Sequence, residues 1–167
     1  SQTGVYRNQI IRGLFMNIVY KRLTDKELDI FIRMRINQLR EEGATENIDL
    51  VPELKNYYKN HMADDTFISW LAVDEDNGRI VGTSGISIVE KPPYFSCPTG
   101  KIALLSSMFT DKSYRRKGIA TNLLEKIVTE AKSRHCGTIQ ITASDMGVLL
   151  YSNFGFLKSN NFMQYRL

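Results

Sequence analysis

Residues 108–121 read M-F-T-D-K-S-Y-R-R-K-G-I-A-T, and this stretch decides the fold because it leads out of a strand, through a basic turn and into a helix. Upstream, Ile102 to Thr110 are apolar or small and predict a buried strand, which Asp111, Lys112 and Ser113 interrupt. Downstream, Ile119, Ala120, Leu123, Leu124, Ile127, Val128 and Ala131 recur at the spacing of one helical face, so a helix begins near Gly118. Gly137 is expected to end it, since glycine accepts the left-handed conformation past a helix terminus. The first N–H groups of such a helix have no intrahelical partner and lie at the positive end of its dipole. Gly118 lets an oxygen approach the main chain, small Ala120 keeps the next turn open, and Arg115, Arg116 and Lys117 surround the opening with positive charge. A phosphate or pyrophosphate fits that description.

Outward from this stretch, the N-terminal half supplies strands and helices in turn. Asn17 to Leu23 reads as a strand, and Thr24 with Glu27 three residues later is a capping-box pattern that starts a helix. Leu28, Phe31, Ile32, Met34, Ile36 and Leu39 give that helix its apolar face, and Gly43 stops it. A second helix is expected from Pro52 to Met62, with Leu54, Tyr58 and Met62 on one side. Phe67 to Val73 and Ile80 to Val89 read as antiparallel strands joined by Asp76, Asn77 and Gly78, which is hairpin turn chemistry. Gly82 and Gly85, inside the second of these, suit close packing or a bulge. Glu90 to Gly100 holds Pro92, Pro93 and Pro98 and is an irregular connection that leads into the central strand, expected to border a ligand pocket.

On the C-terminal side, Thr138 to Ala143 predicts a strand parallel to the central one, since a crossover helix precedes it. Ser144 to Phe154 reads as helical, and Phe156 to Leu167 as one or two closing strands. The fold class is therefore α/β, a mixed sheet with helices on both faces, whose parallel strand pair splays to admit a ligand.

Composition narrows the function. The 167 residues suffice for one well-buried core and not for two comfortable domains. Ser1 to Met16 read as an N-terminal extension and residues 17–167 as a single domain. With 43% hydrophobic and 24% charged residues the chain resembles a soluble globular protein. No apolar run is long enough to span a bilayer, and no export signal opens the chain, so a cytoplasmic location without a membrane partner is expected. Cys97 and Cys136 form no disulfide framework and read as free thiols in a reducing compartment. They share no metal-ligand spacing with His61 and His135, which read as structural or surface residues, so no metal is expected. A net charge of +4 is modest, and a local phosphate site explains the basic cluster better than nucleic-acid binding does. A P-loop and a dinucleotide fingerprint are both absent.

The order R-x-x-G-x-A, formed by Arg115, Gly118 and Ala120, resembles the signature of the GNAT superfamily of N-acetyltransferases. A second stretch, S-D-M-G-V-L-L-Y-S-N-F-G-F with Gly147, Leu150, Tyr151, Gly155 and Phe156, resembles the other signature of that family. C-P-T-G-K before the central strand and A-S-D-M-G before the tyrosine are similar to a subgroup of its bacterial members.

The resemblance implies a GNAT-like fold and transfer of an acetyl group from acetyl-CoA, a cosubstrate, to a primary amine on a small molecule or peptide. It implies that Met108, Phe109 and Thr110 offer backbone groups to the pantetheine arm. The amides of Arg116, Lys117, Gly118, Ile119, Ala120 and Thr121 hold the pyrophosphate. Ser144, where the family often has asparagine, is a shorter pantetheine contact, Gly147 replaces a frequent alanine and loosens the helix start, and Tyr151 is the general acid. Many relatives carry a glutamate base on the central strand, but Lys101 to Phe109 contains no carboxylate, which leaves Glu90 and Asp145 as candidates flanking the cleft. A homodimer is compatible with this reading. The alternative is a coenzyme A-binding sensor or interaction module without turnover.

Overall fold

The structure is a computed structural model that describes residues 16–159 and 161–167. The expected N-terminal extension thus lies outside the described residues except for Met16. In chain order the elements are β1 (Ile18–Arg22), α1 (Leu28–Glu41), α2 (Val51–Ala63), β2 (Phe67–Ile68), β3 (Trp70–Asp74), β4 (Arg79–Thr83), β5 (Ile86–Glu90), β6 (Lys101–Leu105), β7 (Phe109–Thr110), α3 (Ile119–Ser133), β8 (Thr138–Gln140) and α4 (Val148–Phe154). The capping box forms: Thr24 accepts from the Lys26 N–H, and the Glu27 carboxylate accepts from the Thr24 N–H at 3.0 Å. It opens one tight turn, Asp25–Glu27, from which α1 continues. Burial pushes the Glu27 carboxyl up, but hydrogen bonds from Lys21 and Thr24 outweigh it and hold the group at about 2.

Where the sequence reads three long strands, the structure has six short ones, broken at Ser69, at Ser84 and Gly85, and from Ser106 to Met108. They sort into two four-stranded sheets, β1-β3-β4-β7 and β2-β5-β6-β8. At the breaks, backbone groups lose their ladder partners and short hydroxyls replace them. The Trp70 N–H donates to Ser84 Oγ at 3.0 Å, Ser84 Oγ donates to the Trp70 carbonyl at 2.8 Å, and Thr83 Oγ1 donates to the Ser107 carbonyl at 2.7 Å. Ser107, at φ +56°, turns the chain from β6 toward β7. Gly85 has no room for a side chain, because a Cβ there would meet the Phe67 ring at 2.8 Å.

Side-chain alternation along these strands places helices on both faces. Phe67 and Leu71 pack with Leu28, Phe31, Ile32 and Tyr58 of α1 and α2, whereas their neighbours Ile68 and Ala72 belong to the clusters that hold α3. Phe31, Leu71, Leu123, Leu124 and Ile127 are fully buried, and each such side chain contributes about 1.5–3 kcal/mol of transfer free energy. Gly82 lets α3 come close, since a Cβ there would meet Ile119 Cγ2 at 3.0 Å.

Three sequence expectations fail for identifiable reasons. The helix α3 ends at Ser133 with His135 supplying the left-handed residue (φ +60°), while Gly137 makes room for Cys97, whose Sγ would lie 2.5 Å from a Cβ there. The parallel pair β6–β8 runs from Ile102↔Thr138 to Leu104↔Gln140 and then parts, so Ile141 to Ala143 have left the ladder. The closing strands expected from Phe156 to Leu167 do not form among the described residues. The Phe156 N–H donates to the Tyr151 carbonyl at 2.9 Å, and beyond it the described chain finds no strand partner. No helix among the described residues is long and apolar enough to cross a membrane, and no group of three or more His, Cys, Asp or Glu among them is placed to hold a metal ion.

Candidate active site

The turn from β7 into α3 is fixed by its own side chains. Asp111 accepts from the Ser113 N–H at 3.2 Å and from its hydroxyl at 2.9 Å, and pairs with Arg79 at 3.1 Å. Burial pushes the Asp111 carboxyl up, yet Ser113, Arg79 and Arg115 outweigh it and the net shift is downward. Tyr114 points inward, donates to Asp74 at 2.7 Å and accepts from Asn77 Nδ2 at 3.1 Å, which ties the loop to the β3–β4 hairpin. Arg115 donates to the Thr110 carbonyl at 2.8 Å and to Glu41 at 2.8 Å, so this arginine clamps the loop to α1.

What remains at the start of α3 is an open cradle. Gly118 has φ +81°, and a Cβ built there meets nothing within 4 Å. The first helical bond runs from the Asn122 N–H to the Gly118 carbonyl, leaving the amides of Ile119, Ala120 and Thr121 without intrahelical acceptors. Exposed Arg116, itself left-handed at φ +60°, and exposed Lys117 border them.

The splay edge of β7 is more committed than its sequence suggests. The Asp111 N–H donates to the Val81 carbonyl, so alternation turns the main chain of Phe109 toward β4 and those of Met108 and Thr110 toward the splay. Both outward carbonyls already have partners, Gln38 on Met108 and Arg115 on Thr110. The Met108 and Thr110 N–H groups are what this edge holds out.

Gln38 is the residue that the sequence reading misses. It is 7% exposed, on a helix face otherwise read as apolar. Its Nε2 donates to the Met108 carbonyl at 3.1 Å and to Glu42 Oε1 at 3.2 Å, and its Oε1 accepts from Arg35 at 3.0 Å. One amide thereby places the Glu42 carboxylate beside the splay. Of the acidic residues around the end of α1, Glu41 is engaged by Arg115 and Lys112 and Glu46 by Arg40, whereas Glu42 has no cationic partner among the described residues. The signal available was the run Gln38 to Glu42, which continues the buried face of Phe31 with polar side chains.

On the opposite wall, Tyr151 of α4 is 7% exposed and packs edge-on against Phe156 at 5.5 Å. A Cβ on Gly147 would meet its ring at 2.8 Å and Ser144 Oγ at 3.4 Å, so the glycine does not loosen the helix start but gives the ring its seat. The Tyr151 hydroxyl has no partner among the described residues. Burial, and then the charge on Glu42, push its phenol up to about 12.

Glu90 does not flank this site. It pairs with Lys101 at the far end of the β5–β6 ladder, and four residues at the strand rise separate Lys101 from Leu105 by about 13 Å. The same register carries the Glu90–Gly100 loop away from the splay. Asp145 remains close in sequence to Ser144, in the exposed turn before α4.

The sequence model of the acetyltransferase (GNAT) family matches residues 33–156, and the chain belongs to that family. Among solved structures it is similar to a "predicted acetyltransferase" of Clostridium acetobutylicum determined with acetyl-CoA, at 31% identity and a TM-score of 0.85, covering 89% of this chain and 96% of that one. An acetyltransferase of Trypanosoma brucei (20% identity, TM-score 0.68, 90% and 100% covered) and the glucosamine-6-phosphate N-acetyltransferase of Arabidopsis thaliana (19%, 0.69, 90% and 98%) share the fold. The protein is an acetyltransferase of that family. The cosubstrate fits the residues present, because unpaired amides and an unfilled glycine face meet at the start of α3.

Proposed function

We propose that this acetyltransferase acts on a primary amine, with Tyr151 supplying a proton to the departing sulfur and Glu42 accepting one from the acceptor nitrogen. The observation that carries this reading is Gln38, which joins the Met108 carbonyl at the splay to Glu42, while the charge of Glu42 also reaches Tyr151. An acid and a base thus share one end of the cleft. When bound, acetyl-CoA supplies the activated acetyl thioester. The amides of Arg116 to Thr121 bind its pyrophosphate, the N–H groups of Met108 and Thr110 and the Ser144 hydroxyl orient its arm, and Tyr151, protonated throughout the neutral range, holds a proton for the sulfur.

Glu42 removes the main reason for preferring a binding module without turnover, the lack of a carboxylate on the central strand. The acceptor class is a small-molecule or peptide amine, and the whole of residues 17–167 serves as one catalytic unit. Thiol release from acetyl-CoA, measured across polyamines, aminoglycosides, amino acids and peptide N-termini, tests the reading. At least one amine should raise the rate, and Glu42→Gln should then lower kcat while calorimetry shows unchanged coenzyme A affinity. Undiminished turnover in Glu42→Gln would take this residue out of the reaction. Coenzyme A binding without release by any amine would favour the sensor.

A further inference from the structure

Arg35 of α1 carries a charge that the described residues leave unanswered. Arg40 on the same helix pairs with Glu46 and Arg33 stands exposed, whereas Arg35 is half-buried and meets no carboxylate among the described residues. Its Nη1 donates to the neutral Gln38 Oε1 at 3.0 Å, and its Nε and Nη2 have no partner among the described residues. The same guanidinium reaches Tyr58 of α2: burial pushes that phenol up, and Ser107 and then the Arg35 charge pull against it. Ser107 directly precedes Met108, whose carbonyl Gln38 also holds, so Arg35 stands at the head of the splay. Seven residues on, two helical turns away, Glu42 has the complementary lack, a carboxylate without a cation. Gln38 lies between the two and keeps them from neutralising each other. A cation drawn partly out of water without a counter-charge is costly to the folded chain, and such groups gather where a ligand supplies the missing charge.

We propose that Arg35 and Glu42 together seat a free α-amino acid as the acceptor, its carboxylate on Arg35 and its amine at Glu42. The proposal rests on the reading of Glu42 as the base. The idle Nε and Nη2 of Arg35 form the planar fork that matches a carboxylate. The spacing suits the same ligand. The Gln38 amide, about 2.3 Å from oxygen to nitrogen, keeps the Arg35 nitrogen within about 8.5 Å of the Glu42 oxygen. A hydrogen bond of about 2.8 Å at each end leaves about 3 Å for the ligand to bridge, and in an α-amino acid the nitrogen and the nearer carboxylate oxygen lie about 3 Å apart. Polyamines and aminoglycosides bring no anion to Arg35, and a peptide N-terminus has an uncharged carbonyl in its place. In the transfer, the amine's lone pair forms the N–C bond as the C–S pair leaves with sulfur. Tyr151 protonates that sulfur and Glu42 takes the nitrogen's surplus proton, so the products are an N-acetylated amino acid and a free thiol.

The test is thiol release from acetyl-CoA with the standard L-amino acids, their carboxamides and O-phosphoethanolamine. At least one amino acid should turn over, with a kcat/KM about 10- to 100-fold above that of its carboxamide, the effect of one charge-assisted contact. Arg35→Gln should bring that ratio close to one. A variant that slows acid and carboxamide alike and keeps the ratio would make Arg35 a support for Gln38 alone and overturn the proposal. Faster turnover of the carboxamide or of O-phosphoethanolamine would overturn it too. Polyamines or aminoglycosides that turn over where no amino acid does would also sink it, while leaving the transfer to an amine intact. If no amine releases thiol, calorimetry of the same amino acids against the protein saturated with coenzyme A decides. Binding that Arg35→Gln abolishes would uphold the seat and count only against turnover, and absence of binding would remove the seat. Should Arg35→Gln fail to fold, the ratio of acid to carboxamide in the unmodified protein decides alone.

Discussion

The two walls of the splay are built by opposite means. The β7–α3 wall is cross-linked: Tyr114 to Asp74 and Asn77, Asp111 to Arg79, and Arg115 to Thr110 and Glu41 tie one short loop to the β3–β4 hairpin and to α1. The β8–α4 wall leaves the ladder after Gln140 and relies on packing, with the Tyr151 ring seated against Gly147 and Phe156. A wall that presents main-chain amides to an anion gains from rigidity, because donors already in place need no ordering on binding. A wall that presents one hydroxyl needs only that ring held. Damage should therefore appear as lost affinity and lost stability on the first wall, and as lost turnover alone on the second.

The largest effect expected from that contrast is at Gly118. Valine there combines a branched side chain with φ +81°, and losing two charge-assisted amide bonds of about 1.5–3 kcal/mol each would weaken coenzyme A binding by roughly 100- to 10,000-fold. Arg116→Ala should cost about fivefold or less, as exposed charges do. Calorimetry on both variants, if it gave the reverse order, would show a wall that works by side-chain charge.

Next is Tyr151→Phe, which keeps the packing and deletes the hydroxyl. It should lower kcat roughly 10- to 1,000-fold, the lower range of positioned acid catalysis, without moving coenzyme A affinity or the melting temperature. Intact turnover would make Tyr151 a packing residue.

Tyr114→Phe should do the converse. Removing the donor to buried Asp74 leaves that carboxylate short of a partner, at a cost of about 1–3 kcal/mol in denaturant unfolding, and loosens the cradle so that coenzyme A affinity falls as well. Unfolding that matches the parent chain would break the distinction between the walls.

The smallest effect lies outside both walls. The folded-state value of Glu27, about 2, is below its ordinary 4.5. Its contribution is therefore fully present above pH 4.5 and is lost as pH falls toward 2. The melting difference between the parent and Glu27→Gln should shrink over that interval, and a constant difference would mean that the capping box contributes through shape and not charge.

What the sequence made legible was local. The strand, basic turn and helix around Gly118 are coded by neighbours in the chain, and so are the capping box at Thr24 and the hairpin at Asn77 and Gly78. The strand breaks were not legible, because Thr83 and Ser84 look like ordinary small residues until strands lie side by side and their hydroxyls bond the Ser107 carbonyl and the Trp70 backbone in place of ladder partners. Glu42 escaped notice for a similar reason: its place depends on Gln38 bridging α1 to Met108, contacts 70 residues apart in the chain. Glu90 was misplaced because proximity in sequence to the central strand says nothing about which end of that strand the cleft occupies. The tail shows the limit differently, since its alternation predicts a strand that finds no partner, and so does not form, among the described residues.

Cys97 lies 1% exposed, its thiol donating to the Lys101 carbonyl at 3.5 Å and pressed into the space left by the missing side chain of Gly137. Cys136 nearby is half-buried, and burial pushes its thiol up. An alkylating reagent thus meets two kinetically different groups. Cys136 reacts at a pace set by its small thiolate fraction, but Cys97 is reached only when the proline-rich loop lifts off β6. The slower of the two labelling rates is a clock for that opening, running inside the unmodified protein.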